Sequence, residues 1–167
     1  MWSLALLTGM LALMMAYAAP AERGDSRRQQ EVARAGAAEM AVYRAAVARY
    51  FGANDNARGS VAMATLRDQG HLRAWSTLDA GRWDNYRAPD GTIYIYARVL
   101  PPVDLGAALL TASHGSLLAG HYRAGSANLI SPLNGDTRIP LAQLLEGLQT
   151  QQRTLPTGAP VWLAVPE

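Results

Sequence analysis

Residues 2–18 (WSLALLTGMLALMMAYA) carry no charged side chain, and Arg23, Arg27 and Arg28 follow shortly after. This opening constrains the chain more than anything downstream. A helix that is apolar on every face has no polar side to turn to water, so it needs a hydrocarbon surround or a deep core. A bilayer core of about 30 Å takes about 20 apolar residues in helix, with about 17 as the lower limit. Residues 2–18 sit at that limit. They read as a short membrane anchor or as the apolar region of a secretory signal. Ala16-Tyr17-Ala18 and Ala19-Pro20-Ala21 both fit a small-x-small cleavage pattern, whereas the length of the run favours retention. The three arginines would stay in the cytoplasm by the positive-inside rule. The absence of cysteine rules out disulfides, thiolate zinc sites and a cysteine nucleophile, and is compatible with an exported body. Export is the expectation, against the charge rule.

Composition bounds the remainder. Half of the residues are hydrophobic and 17% are charged, so the body has enough apolar surface to fold. A formal charge of +2 is too small for a nucleic-acid binder, and no basic stripe interleaves with aromatics. All 15 basic residues are arginine, which removes Schiff-base and Walker-type lysines.

Pro20, Gly24 and Asp25 predict a break after the apolar run, with Ser26 capping a new helix. From Arg27 to Phe51 the sequence is free of proline and rich in alanine. Gly36, Met40, Tyr43, Val47 and Tyr50 recur at spacings of four, three, four and three, which places them on one helical seam. This seam either packs on the chain's own body or serves as a partner-binding stripe. Gly52 is suited to end the helix. Residues 54–59 read as a linker and residues 61–68 as a short helix closed by Gly70, with Leu72 and Trp75 packing as the chain leaves it.

The clearest β signal is a hairpin. Residues 82–87 and 92–99 flank Ala88-Pro89-Asp90-Gly91, where proline presets φ and glycine supplies a positive φ. Ile93, Ile95, Ala97 and Val99 share one face, and Thr92, Tyr94, Tyr96 and Arg98 the other. Tyr94 and Tyr96, with Trp83 or Tyr86 across the hairpin, form a recognition surface or ordinary cross-strand pairs. Pro101-Pro102 predicts a rigid joint. Beyond it come a helix from Asp104 to His114, strands near 119–124 and 127–131, and a turn at 134–136. A helix led by Pro140 with Leu141, Leu144, Leu145 and Leu148, and a closing strand at 161–165, complete the chain.

Catalytic motifs are not evident. His71, His114 and His121 show no zinc-type helical spacing. Ser113-His114-Gly115-Ser116 lacks the context of a nucleophile elbow, and adjacent side chains point apart. The carboxylates show no metal-loop arrangement, and no phosphate-binding glycine pattern exists. A non-enzyme without metal or cofactor is expected.

Three stretches resemble a known family: the opening MWSLALLTGMLALMM, residues 61–75 (VAMATLRDQGHLRAW), and the closing PTGAPVWLAVP. They are similar to the small PilM proteins of type IVb (thin, conjugation-type) pilus biogenesis. The resemblance implies an inner-membrane protein with a periplasmic body, working with other pilus assembly proteins and lacking catalytic residues. The larger actin-like protein of the same name is a different family, whose nucleotide-binding pattern is absent here. True major pilins differ as well, because the basic leader and the glutamate within the apolar run are missing.

The expectation is therefore an α+β chain with an anchor or signal over residues 1–19 and an amphipathic helix over 26–52. A first αβ subdomain over 53–102 and a second over 103–167 would follow. The expected function is non-catalytic scaffolding in pilus assembly, at the inner membrane or, after cleavage, in the periplasm. An exported binding module, a minor pilin-like subunit and a small periplasmic hydrolase are the alternatives. Met40, Tyr43, Val47, Tyr50, Tyr94 and Tyr96 are the candidate interaction residues. No nucleic acid is expected, and the oligomeric state stays open.

Overall fold

The computed structural model describes the backbone of residues 2–165 and the side chains of residues 25–165. The described residues form helices α1 (Trp2–Ala53), α2 (Met63–Asp68), α3 (Gly106–Ala112) and α4 (Ala142–Thr150). The strands are β1 (Trp83–Arg87), β2 (Ile93–Ala97), β3 (Ala119–His121), β4 (Asn128–Ser131), β5 (Gly135–Pro140) and β6 (Pro160–Ala164). They make one antiparallel sheet in the order β1-β2-β6-β3-β4-β5. The architecture is α+β in three layers: α1, α2 and α3 on one face of the sheet, and α4 on the other.

The alternation of β2 explains the two layers. Ile93, Ile95 and Ala97 enter the core beneath α1, together with Trp83, Trp162 and Ala164. Tyr94 and Tyr96 enter a second core with Leu141, Leu144 and Leu148 of α4 and with Val161 and Leu163. Burial on both faces makes β2 and β6 central strands. Each large side chain so buried contributes about 1.5–3 kcal/mol. Helix α4 lies close to the sheet because Gly147 has no side chain; a Cβ there would fall 2.2 Å from Tyr86 Cζ.

Several expectations are corrected. Helix α1 runs on through Pro20, Gly24 and Asp25, and no new helix begins at Ser26. A proline removes one donor from the ladder and crowds the carbonyl four residues before it, a cost of about 3 kcal/mol that does not by itself end a long helix. Gly52 is inside α1, and Asn54 ends the helix by donating from both its backbone and its side chain to the Tyr50 carbonyl. Trp75 does not pack; it is 73% exposed. Trp83 lies on the opposite face from Tyr94, whose cross-strand partner is Tyr86. Residues 135–140 form a strand, so Pro140 closes β5 instead of opening α4. The expected boundary at Pro101-Pro102 falls inside one sheet, because β6 returns to pair with β2 on one side and β3 on the other. Two subdomains would leave both halves with half-covered faces.

Both sheet edges are closed to strand addition. Along β1, Arg87 and Gly59 exchange backbone hydrogen bonds, and Asn85 receives the Val61 N–H on its Oδ1 and donates from Nδ2 to the Val61 carbonyl. Along β5, the N–H of Arg138 donates to Asp136 Oδ1, that of Ile139 donates to Thr137 Oγ1, and Pro140 has none. Such devices block edge-to-edge pairing.

Arg87 holds the end of α1. The helix has no basic side chain in its own last turn. The Arg87 guanidinium is buried and donates to the carbonyls of Phe51, Asn54, Asp55 and Ala57 and to the Asp55 carboxylate. Arg87→Ala should destabilise the purified chain by on the order of 3 kcal/mol in guanidinium unfolding, since buried carbonyls lose charged donors. Arg87→Lys should fall between the two, because one ammonium cannot reproduce the planar fork. A change below about 0.5 kcal/mol for both, the range of ordinary surface substitutions, would contradict this role.

Candidate interaction surfaces

The structure separates the sequence-selected residues into two cores. Met40, Tyr43 and Val47 are fully buried between α1 and the sheet, and Gly36 meets Leu105, the residue that leads into α3. The Tyr43 hydroxyl accepts from Asn85 Nδ2 at 2.6 Å. Tyr50 is half-buried, with ring centroids 5.2 Å from Phe51 and 5.7 Å from His71. The seam therefore faces the chain's own sheet, and a partner could reach it only by opening the core. Tyr94 and Tyr96 are likewise covered by α4, and the Tyr94 hydroxyl donates to the Pro140 carbonyl at 3.3 Å. The six residues do not form one surface.

Burial sets the electrostatics of these phenols. Tyr94 is pushed up to about 12, mainly by burial and then by Asp90. Burial also raises Tyr43 and Tyr96, which lie near the ion pair of Asp84 with Arg153. At the exposed end of the Arg87 clamp, hydrogen bonding by the guanidinium holds the Asp55 carboxyl below the usual range.

The histidines are dispersed. His71 lies against Tyr50, His114 follows α3 with φ 53°, and His121 pairs with Pro160 and Ile130 in the sheet. Burial, then Arg123, lowers the His121 pKa. The Ser113 hydroxyl donates to the Leu110 carbonyl, where it serves the end of α3. Among the described residues, no group of three or more His, Asp or Glu side chains is placed to hold a metal ion.

Accessible surface collects where α1 leaves the body. Residues 25–32 are exposed all round, and Ala33 is the first buried position. A polar cleft of about 540 Å³ lies between α1 and α3, walled by Gln29, Gln30 and Arg34 on one side and by Asp104, Ala107 and Thr111 on the other. A second cleft of about 530 Å³ adjoins it through Val103 and Asp104 and is walled by Leu100, Pro101, Pro102 and Pro160. Sequence reasoning missed both, because each is built from segments that meet only in the fold. Their one legible signal was Pro101-Pro102, a stiff apolar segment unable to join a sheet ladder. No helix among the described side chains is long and apolar enough to cross a membrane, and the anchor expected at residues 2–18 lies outside them.

A model of the PilM family matches residues 8–163, and the chain belongs to that family, one of pilus proteins. No curated protein and no solved structure matches it.

The buried phenols predict an alkaline transition. An exposed tyrosine ionises near pH 10, so in the unfolded chain Tyr94 loses its proton before it does in the fold. Its contribution is complete below about pH 10 and is lost as pH rises toward about 12. Tyrosinate absorbance should therefore rise together with loss of folded structure. Tyr94→Phe should lower stability by about 1 kcal/mol at neutral pH and flatten its fall above pH 10. Independent titration of all the tyrosines without unfolding would refute this.

Proposed function

We propose that the chain is a non-catalytic scaffold of type IVb pilus assembly, held in the bacterial inner membrane through residues 2–18 with its body in the periplasm. The observation that supports it best is the continuity of α1, which joins the apolar opening to the buried stripe of the body in one helix. From residue 18 to Ala33 the helix rises about 22 Å at 1.5 Å per residue. The body would thus stand off the bilayer on a stiff stalk. The exposed turns at 25–32 and the Gln29/Gln30 cleft would remain available to other pilus assembly proteins. Membership of the PilM family supports the pilus role.

Deleting residues 2–18 should release the body from the membrane fraction and abolish pili, and protease added to spheroplasts should digest the body of the intact chain. A body protected until the inner membrane is permeabilised would overturn the topology. A soluble product beginning near Ala19 would replace the anchor with a cleaved signal.

The cleft has its own test. Ala107→Trp fills it from an exposed position. It should lower piliation about tenfold, equal to about 1.4 kcal/mol of partner binding, with an unchanged melting temperature. Normal piliation would exclude the cleft as a docking surface.

A further inference from the structure

We infer that copies of this chain associate side by side, with Trp75 of one seated in the proline-walled cleft of the next. Among the described residues Trp75 is the most exposed of the large hydrophobic side chains, and the backbone that follows it is tied down. Arg67 Nη2 donates to the carbonyls of Ser76 and Leu78 behind it, and the Arg73 guanidinium lies 5.1 Å from its ring centroid. Tryptophan and arginine dominate the energetics of protein contacts, especially when they need no ordering on binding. The cleft offers the complement. Leu100, Pro101, Pro102 and Pro160 give it stiff apolar walls, and exposed Asp104 stands at its rim. One Asp104 oxygen accepts from the Gly106 N–H, and the carboxylate makes no ion pair among the described residues. Arg73 beside the knob and Asp104 beside the hole are opposite in charge.

The two features lie on opposite flanks of α1. Residues 59–61 border β1 and lead into α2 and the Trp75 loop, whereas α3 and the cleft lie toward β3, with β2 and β6 between. The Arg98 N–H donates to the Arg82 carbonyl, which brings Arg82, where the loop carrying Trp75 enters β1, and the departure of Leu100 to one end of the sheet. Glu39 pairs there with Arg82, so α1 emerges at that end too. Knob and hole are different patches, so the contact is heterologous and builds a ring or a row instead of a closed dimer. Chains related by rotation about the direction of α1 can all point the same way, as a shared membrane requires. The contact itself needs only the body, so its failure would leave the anchoring reading untouched.

The absence of cysteine makes a direct test available. Ala74 and Thr157 are exposed and border the knob and the hole. In native membranes, oxidation of the Ala74→Cys/Thr157→Cys chain should give a ladder of dimers, trimers and higher species. Each single variant alone should give none. Adding Trp75→Ala should reduce the ladder at least about tenfold, the effect of losing about 1.4 kcal/mol at one contact. Arg73→Asp should do the same, and Asp104→Arg in that background should restore it. Unchanged melting of the Trp75→Ala chain shows that folding is not the cause. The inference is overturned by a ladder that survives Trp75→Ala, by dimers from either single variant, by cross-linking only to a different polypeptide, or by no product.

Discussion

Arg87 is the side chain on which the α1 face of the sheet depends. Burying the last turns of a long helix against a sheet strands carbonyls that water would otherwise satisfy, and each unsatisfied group costs about 1–3 kcal/mol. One guanidinium from β1 answers the Phe51 carbonyl in that last turn and those of Asn54, Asp55 and Ala57 in the segment that follows it. The backbone of the same residue pairs with Gly59, so the segment leaving α1 is drawn along the outer edge of β1. Two residues earlier, Asn85 binds Val61 and the Tyr43 hydroxyl. Helix end, linker and edge strand are thus fixed by two polar side chains on one face of one strand. The arrangement sets how far α1 can slide, and with it where the exposed turns begin.

The parts legible in the sequence were those governed by local rules. The hairpin was plain from Ala88-Pro89-Asp90-Gly91, and Gly91 takes φ 91° as the turn requires. The leucines of α4 fell on one stripe, and Leu141, Leu144 and Leu148 are buried. The seam on α1 was found at Met40, Tyr43 and Val47, but its direction was not, because periodicity identifies an apolar face and not what covers it. Tyr94 and Tyr96 illustrate the same limit. A tyrosine row reads as half-polar, yet α4, more than forty residues later, turns it into core. Strand β5 was missed because Asn134-Gly135-Asp136 reads as a turn and Pro140 as a helix start; its outward side is exposed and offers no alternating apolar signal. The arginines were the least legible. Arg87 ends β1 and Arg98 follows β2, and only the fold shows that the first is buried and the second exposed.

Closed edges and two covered faces restrict how such a body can meet others. A sheet with an open edge can accept any extended segment through backbone hydrogen bonds alone. Here residues 59–61 occupy one edge, and on the other Asp136 and Thr137 take up neighbouring N–H groups. Recognition would then run through side chains at loops and grooves, where specificity comes from differences in contact between one partner and another. Both clefts are built where α3 and the residues before it meet other elements, α1 in one case and β3 with the loop before β6 in the other.

One helix joins the apolar opening to the core of the body, and its continuity couples position to fold. Ala33, Ala37, Met40, Tyr43, Val47 and Phe51 belong to the core over the sheet, while residues 25–32 of the same helix are exposed. A flexible linker at that point would let the body wander over tens of ångströms, with an effective concentration at its partner that falls with linker length. A continuous helix instead fixes height and heading together. Any force or rotation applied at residues 2–18 reaches the sheet through the buried stripe, and the Arg87 clamp at the far end resists its withdrawal. The cleft beside Gln29 and Gln30 is the first part of the body that such a helix presents. On the proposed reading, a groove held at a fixed distance from the apolar opening would select partners by where they stand as well as by what they are.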